Sequence, residues 1–299
     1  MKIAGIELKN PTILASGIMG TTGAALARMS RNGAGAVVTK SIGPVPNKGH
    51  NNPSMVELEC GYINAMGLPN PSYPGFCEEI KIAKSKMDAP LIASIFGGDA
   101  GEFTEVAKGL LSSKPDCFEL NVSCPHAEGY GASVGTDPEL VHEITASVVD
   151  AVDVPVWVKL TPNVTDITPI GRAAESAGAS AVVAINTVRG MAIDIHSGYP
   201  ILGNRFGGLS GPAVKPVAVK CVYDLYEALD IPVIGVGGIT CPEDAIEMIL
   251  AGARAVEIGS AVHDDVQIFE KISKGIDIYL QKYGYSKTED ITGLSHEMI

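Results

Sequence analysis

The chain is short of positive charge: 22 Lys and Arg stand against 34 Asp and Glu, a net charge of -12. Nucleic acid and anionic membranes both recruit basic surface, so neither is expected as a partner. Cys-x-x-Cys pairs are absent as well. The six cysteines, at 60, 77, 117, 124, 221 and 241, are scattered, which signals neither a zinc ribbon nor an iron–sulfur cluster and reads as the thiol usage of a cytoplasmic protein with no metal site. No apolar run reaches the ~18 residues of a membrane span, and the first ten residues include Lys2, Glu7 and Lys9, unlike a signal peptide. No Gly-x-Gly-x-x-Gly follows a strand and opens a helix, so a nicotinamide domain within the chain is not expected. Nor is there an internal repeat or a low-complexity tract.

Hydrophobic residues make up 46% and charged residues 19% of the 299, enough for a large core and incompatible with disorder. The length is close to the ~250 residues of an eight-stranded α/β barrel with some inserted loop, and one domain over 1–299 is the economical reading. Eight short apolar runs read as strands: Ile13 to Ala15, Ala36 to Thr39, Leu91 to Ile95, Phe118 to Val122, Val156 to Leu160, Ala181 to Ile185, Val233 to Val236 and Ala255 to Ile258. Most are continuous rather than alternating, as in parallel strands covered on both faces. Helical stripes lie between them, one on Ala218, Val222, Leu225, Tyr226 and Leu229, another on Phe269, Ile272, Ile276, Tyr279 and Tyr283. Thr165-Asp166 and Cys241-Pro242-Glu243-Asp244 read as helix starts. The expected fold is α/β, a (β/α)8 TIM barrel with long catalytic-face insertions, with a doubly wound open sheet as the alternative.

In such a barrel the loop after each strand lies on the catalytic face. Polar and glycine residues do follow the runs: Ser16-Gly17, Lys40-Ser41, Ser94, Asn121 and Cys124, Lys159 and Asn163, Asn186-Thr187, Gly237-Gly238 and Gly259-Ser260. Taken singly, each has a bland reading as a turn, a cap or a solvated strand end. Cys124 alone reads as a small buried hydrophobe as readily as a base at a strand-to-loop junction. Two connections, 42 to 74 and 188 to 212, are long enough to lie over that face as insertions. The first contains Asn64-Ala65-Met66-Gly67-Leu68, suited to close approach of a planar polar ligand; the second ends in a glycine loop, Gly207-Gly208-Leu209-Ser210-Gly211, running into a helix. Glycines after the last two strands, with Gly211, predict a bound phosphate on cofactor or substrate. Lys40 and Lys159 are placed to hold an electron-rich ring or an anion.

Ala15-Ser16-Gly17, Thr39-Lys40-Ser41, Asn64 to Leu68, Glu119 to Pro125, Val158-Lys159-Leu160, Ile185-Asn186-Thr187, Gly207 to Gly211 and Gly237-Gly238 resemble, in order and over nearly the whole chain, the class 1 dihydroorotate dehydrogenases with a cysteine base. The resemblance implies FMN on the barrel mouth, its phosphate on Gly211, Gly237, Gly238, Gly259 and Ser260, and its ring against Ser16, Lys40, Ser41, Asn121, Lys159 and Ile185. It implies dihydroorotate held by Lys40, by Asn64, Ala65, Met66, Gly67 and Leu68, and by Asn121, Asn186 and Thr187. Cys124 would remove the C5 proton while C6 gives hydride to the flavin. It further implies an electron-transfer subunit carrying FAD and an iron–sulfur cluster that delivers electrons to NAD, with fumarate or a quinone as the other acceptors, in a homodimer or heterotetramer. Ser94, His126 and the run Lys159 to Ile167 depart from that pattern and are similar to dihydropyrimidine dehydrogenase, a related flavin barrel acting on uracil and thymine. A barrel that binds a phosphorylated metabolite without chemistry is the reading from another class.

Overall fold

Apolar runs of three to six residues, too short for a helix and ended by small or polar residues, become strands here, and the amphipathic segments between them become helices. The computed structural model describes residues 1–123 and 134–297. Its barrel strands are β1 (Thr12–Leu14), β2 (Ala36–Val38), β3 (Leu91–Ile95), β4 (Cys117–Asn121), β5 (Val156–Leu160), β6 (Ala181–Ala184), β7 (Val233–Val236) and β8 (Ala253–Ile258). One helix follows each strand in turn: α1 (Gly23–Arg31), α2 (Ser72–Lys84), α3 (Ala100–Leu110), α4 (Pro138–Val149), α5 (Thr168–Ser176), α6 (Lys215–Ala228), α7 (Pro242–Leu250) and α8 (Ile268–Tyr283). Neighbours in sequence pair in parallel, and β8 pairs with β1 at Val256 and Thr12. That last pairing closes the barrel and removes the open-sheet alternative.

Successive strand side chains point to opposite faces, which divides the core in two. Outward residues such as Leu14, Val37, Phe118 and Val158 pack against the helices. Inward residues, among them Ile13, Ala36, Ile92, Cys117, Trp157, Ala181, Ile234 and Ala255, form a second cluster with Ile3, Ile6 and Leu8. Those last three belong to an N-terminal hairpin, Lys2–Ile3 paired with Ile6–Glu7, that stoppers the barrel floor. Trp157 ties it down by donating from Nε1 to Ala4 O at 3.2 Å.

The helical stripes hold in part: on α6 Ala218, Val222 and Leu225 are buried, but Tyr226 is 37% exposed and Leu229 lies just past the helix end. On α8 the buried set runs Phe269, Ile272, Ile276, Leu280, while Tyr283 is 55% exposed. Helix α5 starts at Thr168 rather than at Thr165-Asp166, because Asp166 Oδ1 accepts the Thr168 N–H at 2.9 Å from outside the helix. Helix α7 begins at Pro242 as expected.

Both long insertions lie after strands, as expected, but they are not irregular loops. Met55–Leu58 and Gly61–Asn64 from the first, with Val188–Gly190 and Gly207–Ser210 from the second, make one antiparallel sheet in the order 188–190, 207–210, 61–64, 55–58. The expected glycine loop is therefore largely a strand. Its glycines serve close approach: a side chain on Gly207 would strike Asn64 O, and one on Gly208 would strike Thr187 Oγ1. Among the described residues no helix is long and apolar enough to cross a membrane.

Candidate active site

Inward positions near the carboxyl ends of the strands change from apolar to polar. On β2 the series Ala36, Val38 continues just past the strand end to Lys40; on β4 Cys117 is followed by Glu119 and Asn121; on β5 Trp157 is followed by Lys159; on β8 Ala255 is followed by Glu257. The fold thus stacks a polar layer on an apolar floor by strand periodicity alone.

The topmost polar side chains are linked across the mouth. Ser94 and Ser41 hydroxyls lie 3.0 Å apart. Asn121 Nδ2 donates to Ser41 Oγ at 3.1 Å, and its Oδ1 accepts from Asn186 Nδ2 at 3.2 Å. Asn186 Oδ1 accepts the Thr187 N–H at 2.8 Å, and Asn163 Nδ2 reaches Thr187 O at 3.1 Å. Residues on or just beyond strands β2 to β6 therefore contribute one connected set of amides and hydroxyls, and Ser94, a departure from the family pattern, is a member of it.

The two lysines are in opposite states. Lys159 Nζ donates to Glu257 Oε2 at 2.6 Å, stands 3.7 Å from Glu119 Oε2 and reaches Ser16 Oγ at 3.4 Å. Lys40, 9% exposed, has no ion pair or side-chain hydrogen bond among the described residues. Burial pulls its pKa below the ordinary lysine value. A buried ammonium without a partner is costly, and the arrangement is suited to an anion. Sequence reasoning treated the lysines alike and passed over Glu119 and Glu257; the inward parity of two glutamates in apolar strands was the signal available.

Two backbone segments offer unmet donors. Asn64 Nδ2 binds Gly208 O at 3.3 Å, fixing the start of the 64–68 loop on the neighbouring strand. Met66 O accepts from His50 N at 3.0 Å and Gly67 O from Asn47 Nδ2 at 3.0 Å, while the N–H groups of Met66, Gly67 and Leu68 meet no acceptor among the described residues. The N–H groups of Gly237, Gly238 and Gly259 are likewise unmet. Gly238 is required by the chain itself: its φ is +71° and a Cβ would sit 2.6 Å from Lys215 Cβ and 3.0 Å from Gly211 O, so Gly211 and Gly238 adjoin. Gly259 is different. Its φ is -108° and a Cβ there would meet Ala15 Cβ at an ordinary 3.6 Å, so the protein alone does not demand glycine. Ile185 is buried beside Gly237. Cys124 and His126 lie outside the described residues.

Beneath Gly238, Asp244 Oδ2 accepts from Thr240 N and Thr240 Oγ1, each at 2.8 Å, and Lys215 Nζ bridges Asp244 and Glu247 at 2.8 Å each. This network fixes the start of α6 against the start of α7. Burial alone would raise the Asp244 pKa, but the hydrogen bonds from Lys215 and Thr240 outweigh it and lower the carboxyl to about 2. A surface cleft of about 390 Å³ between α3 and α4, lined by Ala100, Thr104, Lys108 and Asp150, lies on the helical exterior and gathers no comparable set of groups.

A family model described as dihydroorotate dehydrogenase matches residues 1–280. A Methanosarcina mazei protein described as "Dihydroorotate dehydrogenase B (NAD(+)), catalytic subunit" is 70% identical over 99% of this chain and 95% of its own. A Pyrococcus abyssi protein of the same description is 54% identical over 99% and 98%. A crystal structure of the Eimeria tenella dihydroorotate dehydrogenase in complex with ferulenol superposes with a TM-score of 0.86 at 21% identity, over 99% of this chain and 88% of that one, a likeness of fold.

Because the Asp244 pKa is lowered on folding, its contribution to stability is present above the unfolded value of ~4 and is lost as pH falls from ~4 toward about 2. Asp244→Asn should lower the melting temperature at neutral pH, with the variant and wild-type curves converging as pH falls through that window. A gap that stays constant down to pH ~2 would show that the carboxylate charge is not what ties α6 to α7.

Proposed function

The chain belongs to the dihydroorotate dehydrogenase family, and we propose that it is the catalytic subunit that oxidises (S)-dihydroorotate to orotate in de novo pyrimidine (UMP) biosynthesis, with FMN as its cofactor in one catalytic domain spanning 1–299. The observation that carries the substrate assignment is Lys40, a buried ammonium without a counter-ion among the described residues; the N–H groups of Met66, Gly67 and Leu68, on the insertion that follows the same strand, also meet no acceptor among those residues. These are donors for a carboxylate, which dihydroorotate has and dihydrouracil lacks.

The residues fit FMN. Gly259 is bare where the chain would tolerate a side chain, and the N–H groups of Gly237, Gly238 and Gly259 await an acceptor, as a phosphate cradle requires. Gly211 and Ser260 complete that cradle, and Ser16, Lys40, Ser41, Asn121, Lys159 and Ile185 hold the ring. When bound, FMN supplies the hydride acceptor. Asn64 to Leu68, Asn121, Asn186 and Thr187 orient the pyrimidine by matching its fixed donors and acceptors. Cys124, three residues beyond Asn121, takes the C5 proton as thiolate; loss of that proton and of hydride from C6 leaves the C5–C6 double bond of orotate. The base must be a thiolate to act, which its ordinary pKa of ~8.5 makes accessible near neutral pH.

Electrons leave through a separate subunit bearing FAD and an iron–sulfur cluster, and NAD is the terminal acceptor. This chain has no Cys-x-x-Cys to hold a cluster, so the partner supplies it, in a cytoplasmic heterotetramer.

Anaerobic mixing tests the substrate directly. Dihydroorotate should bleach the flavin absorbance and dihydrouracil should not, because an analogue that leaves buried polar groups unpaired is rejected by a factor of ~10⁴ or more. Bleaching by dihydrouracil alone would assign the chain to uracil and thymine chemistry instead. For the base, Cys124→Ser should keep FMN and lose ~10²–10⁴-fold in turnover near neutral pH; wild-type turnover in that variant would remove Cys124 from the role.

A further inference from the structure

Directly below the connected amides lies a buried charge cluster that the reaction above uses only in part. Glu119 on β4, Lys159 on β5 and Glu257 on β8 occupy inward positions one layer above Cys117, Trp157 and Ala255. Both glutamates are 0% exposed and Lys159 is 4% exposed. The ammonium touches Glu257 Oε2 at 2.6 Å and stands 3.7 Å from Glu119 Oε2. Both oxygens of Glu119 and Oε1 of Glu257 have no hydrogen-bond partner among the described residues.

Two carboxylates on one ammonium would leave a net charge of -1 sealed in the barrel, and a buried carboxylate without compensation neutralises rather than bear the desolvation cost. One added proton removes the charge. It also supplies a donor the cluster lacks, since a carboxylic acid donates where a carboxylate only accepts. We infer that Glu119 and Glu257 share one proton at neutral pH, making the cluster with Lys159 electrically neutral, and that this neutral cluster is the electrostatic floor beneath the cofactor ring. Burial, then the facing charge of Glu119, raises Glu257 well above the carboxylate range. Burial would lower the Lys159 pKa, but the two carboxylates outweigh it and keep the group an ammonium. The remaining titratable inward groups among the described residues are Cys117, whose pKa burial and Glu119 raise, and Lys40 on β2; β1, β3, β6 and β7 contribute none.

The consequence for the cofactor rests on the FMN reading, whereas the shared proton does not. A neutral floor lets Lys159 favour the negative charge that a reduced ring acquires. A floor at -1 would oppose it. Glu119, Lys159 and Glu257 thus form a positioning and charge-setting unit rather than a set of catalytic groups.

Infrared spectroscopy of the wild-type chain, with or without FMN, decides the proton. At neutral pH it should show a D2O-sensitive carboxylic-acid C=O stretch that disappears in Glu119→Gln and in Glu257→Gln, each of which leaves a plain Lys–Glu pair. Absence of that stretch in the wild type would overturn the inference, and this measurement needs no variant to fold and no flavin to bind. Potentiometry of the holoprotein then counts charge. Each single variant should leave the FMN midpoint potential near the wild-type value, because a neutral amide replaces a neutral acid. The double variant should raise it, because Lys159 is then uncompensated. Single variants whose potential already rises above the wild-type value, with a further rise in the double, would mean both carboxyls were ionised, and would overturn the shared proton.

Discussion

Taking the Lys40 ammonium out of water, with no carboxylate beside it among the described residues, costs several kcal/mol, and the fold accepts that cost just beyond the end of β2. The lysine is carried there by strand parity, above Ala36 and Val38, and its own N–H is anchored to Gly20 O at 2.9 Å. Ser41, Ser94, Asn121 and Asn186, linked one to the next across the mouth, hold each other and leave this cation without a partner among the described residues. Stability forgone at such a point is recovered when a ligand supplies the missing charge.

The second buried lysine shows what the barrel does when no ligand is to supply the charge. Lys159 lies against Glu257 and Glu119. The interior therefore runs upward from the apolar floor around Trp157, through a charge cluster that can neutralise itself, to a mouth holding a cation that is unbalanced among the described residues. A closed barrel makes this layering natural, because each added pair of residues along a strand contributes one more inward position.

The barrel was legible in the sequence because each of its strands is a short apolar run with its own punctuation. Lys40, Asn121, Asn186 and the paired glycines were legible because a strand-to-loop junction is a local feature. The Glu119, Lys159 and Glu257 cluster was not: residues 119 and 257 meet only because β4 and β8 face one barrel axis, and nothing local marks that. The strands inside the two insertions were missed for another reason. Gly207 and Gly208 read as a turn from composition, yet they are glycine so that Asn64 and Thr187 can approach a strand. On α8, Tyr283 has helical spacing but is exposed, and Leu280 is the last buried residue of the helix.

The most direct test of Lys40 as a cation held in reserve for the substrate carboxylate is to measure two properties of Lys40→Met. Removing a buried, unpaired charge should raise the melting temperature of the flavin-free chain. The same change should weaken orotate binding to the FMN-loaded protein by about two orders of magnitude or more, the usual consequence of deleting one partner of a buried ion pair. Orotate affinity unchanged in Lys40→Met, with a melting temperature equal to or below the wild-type value, would contradict the account.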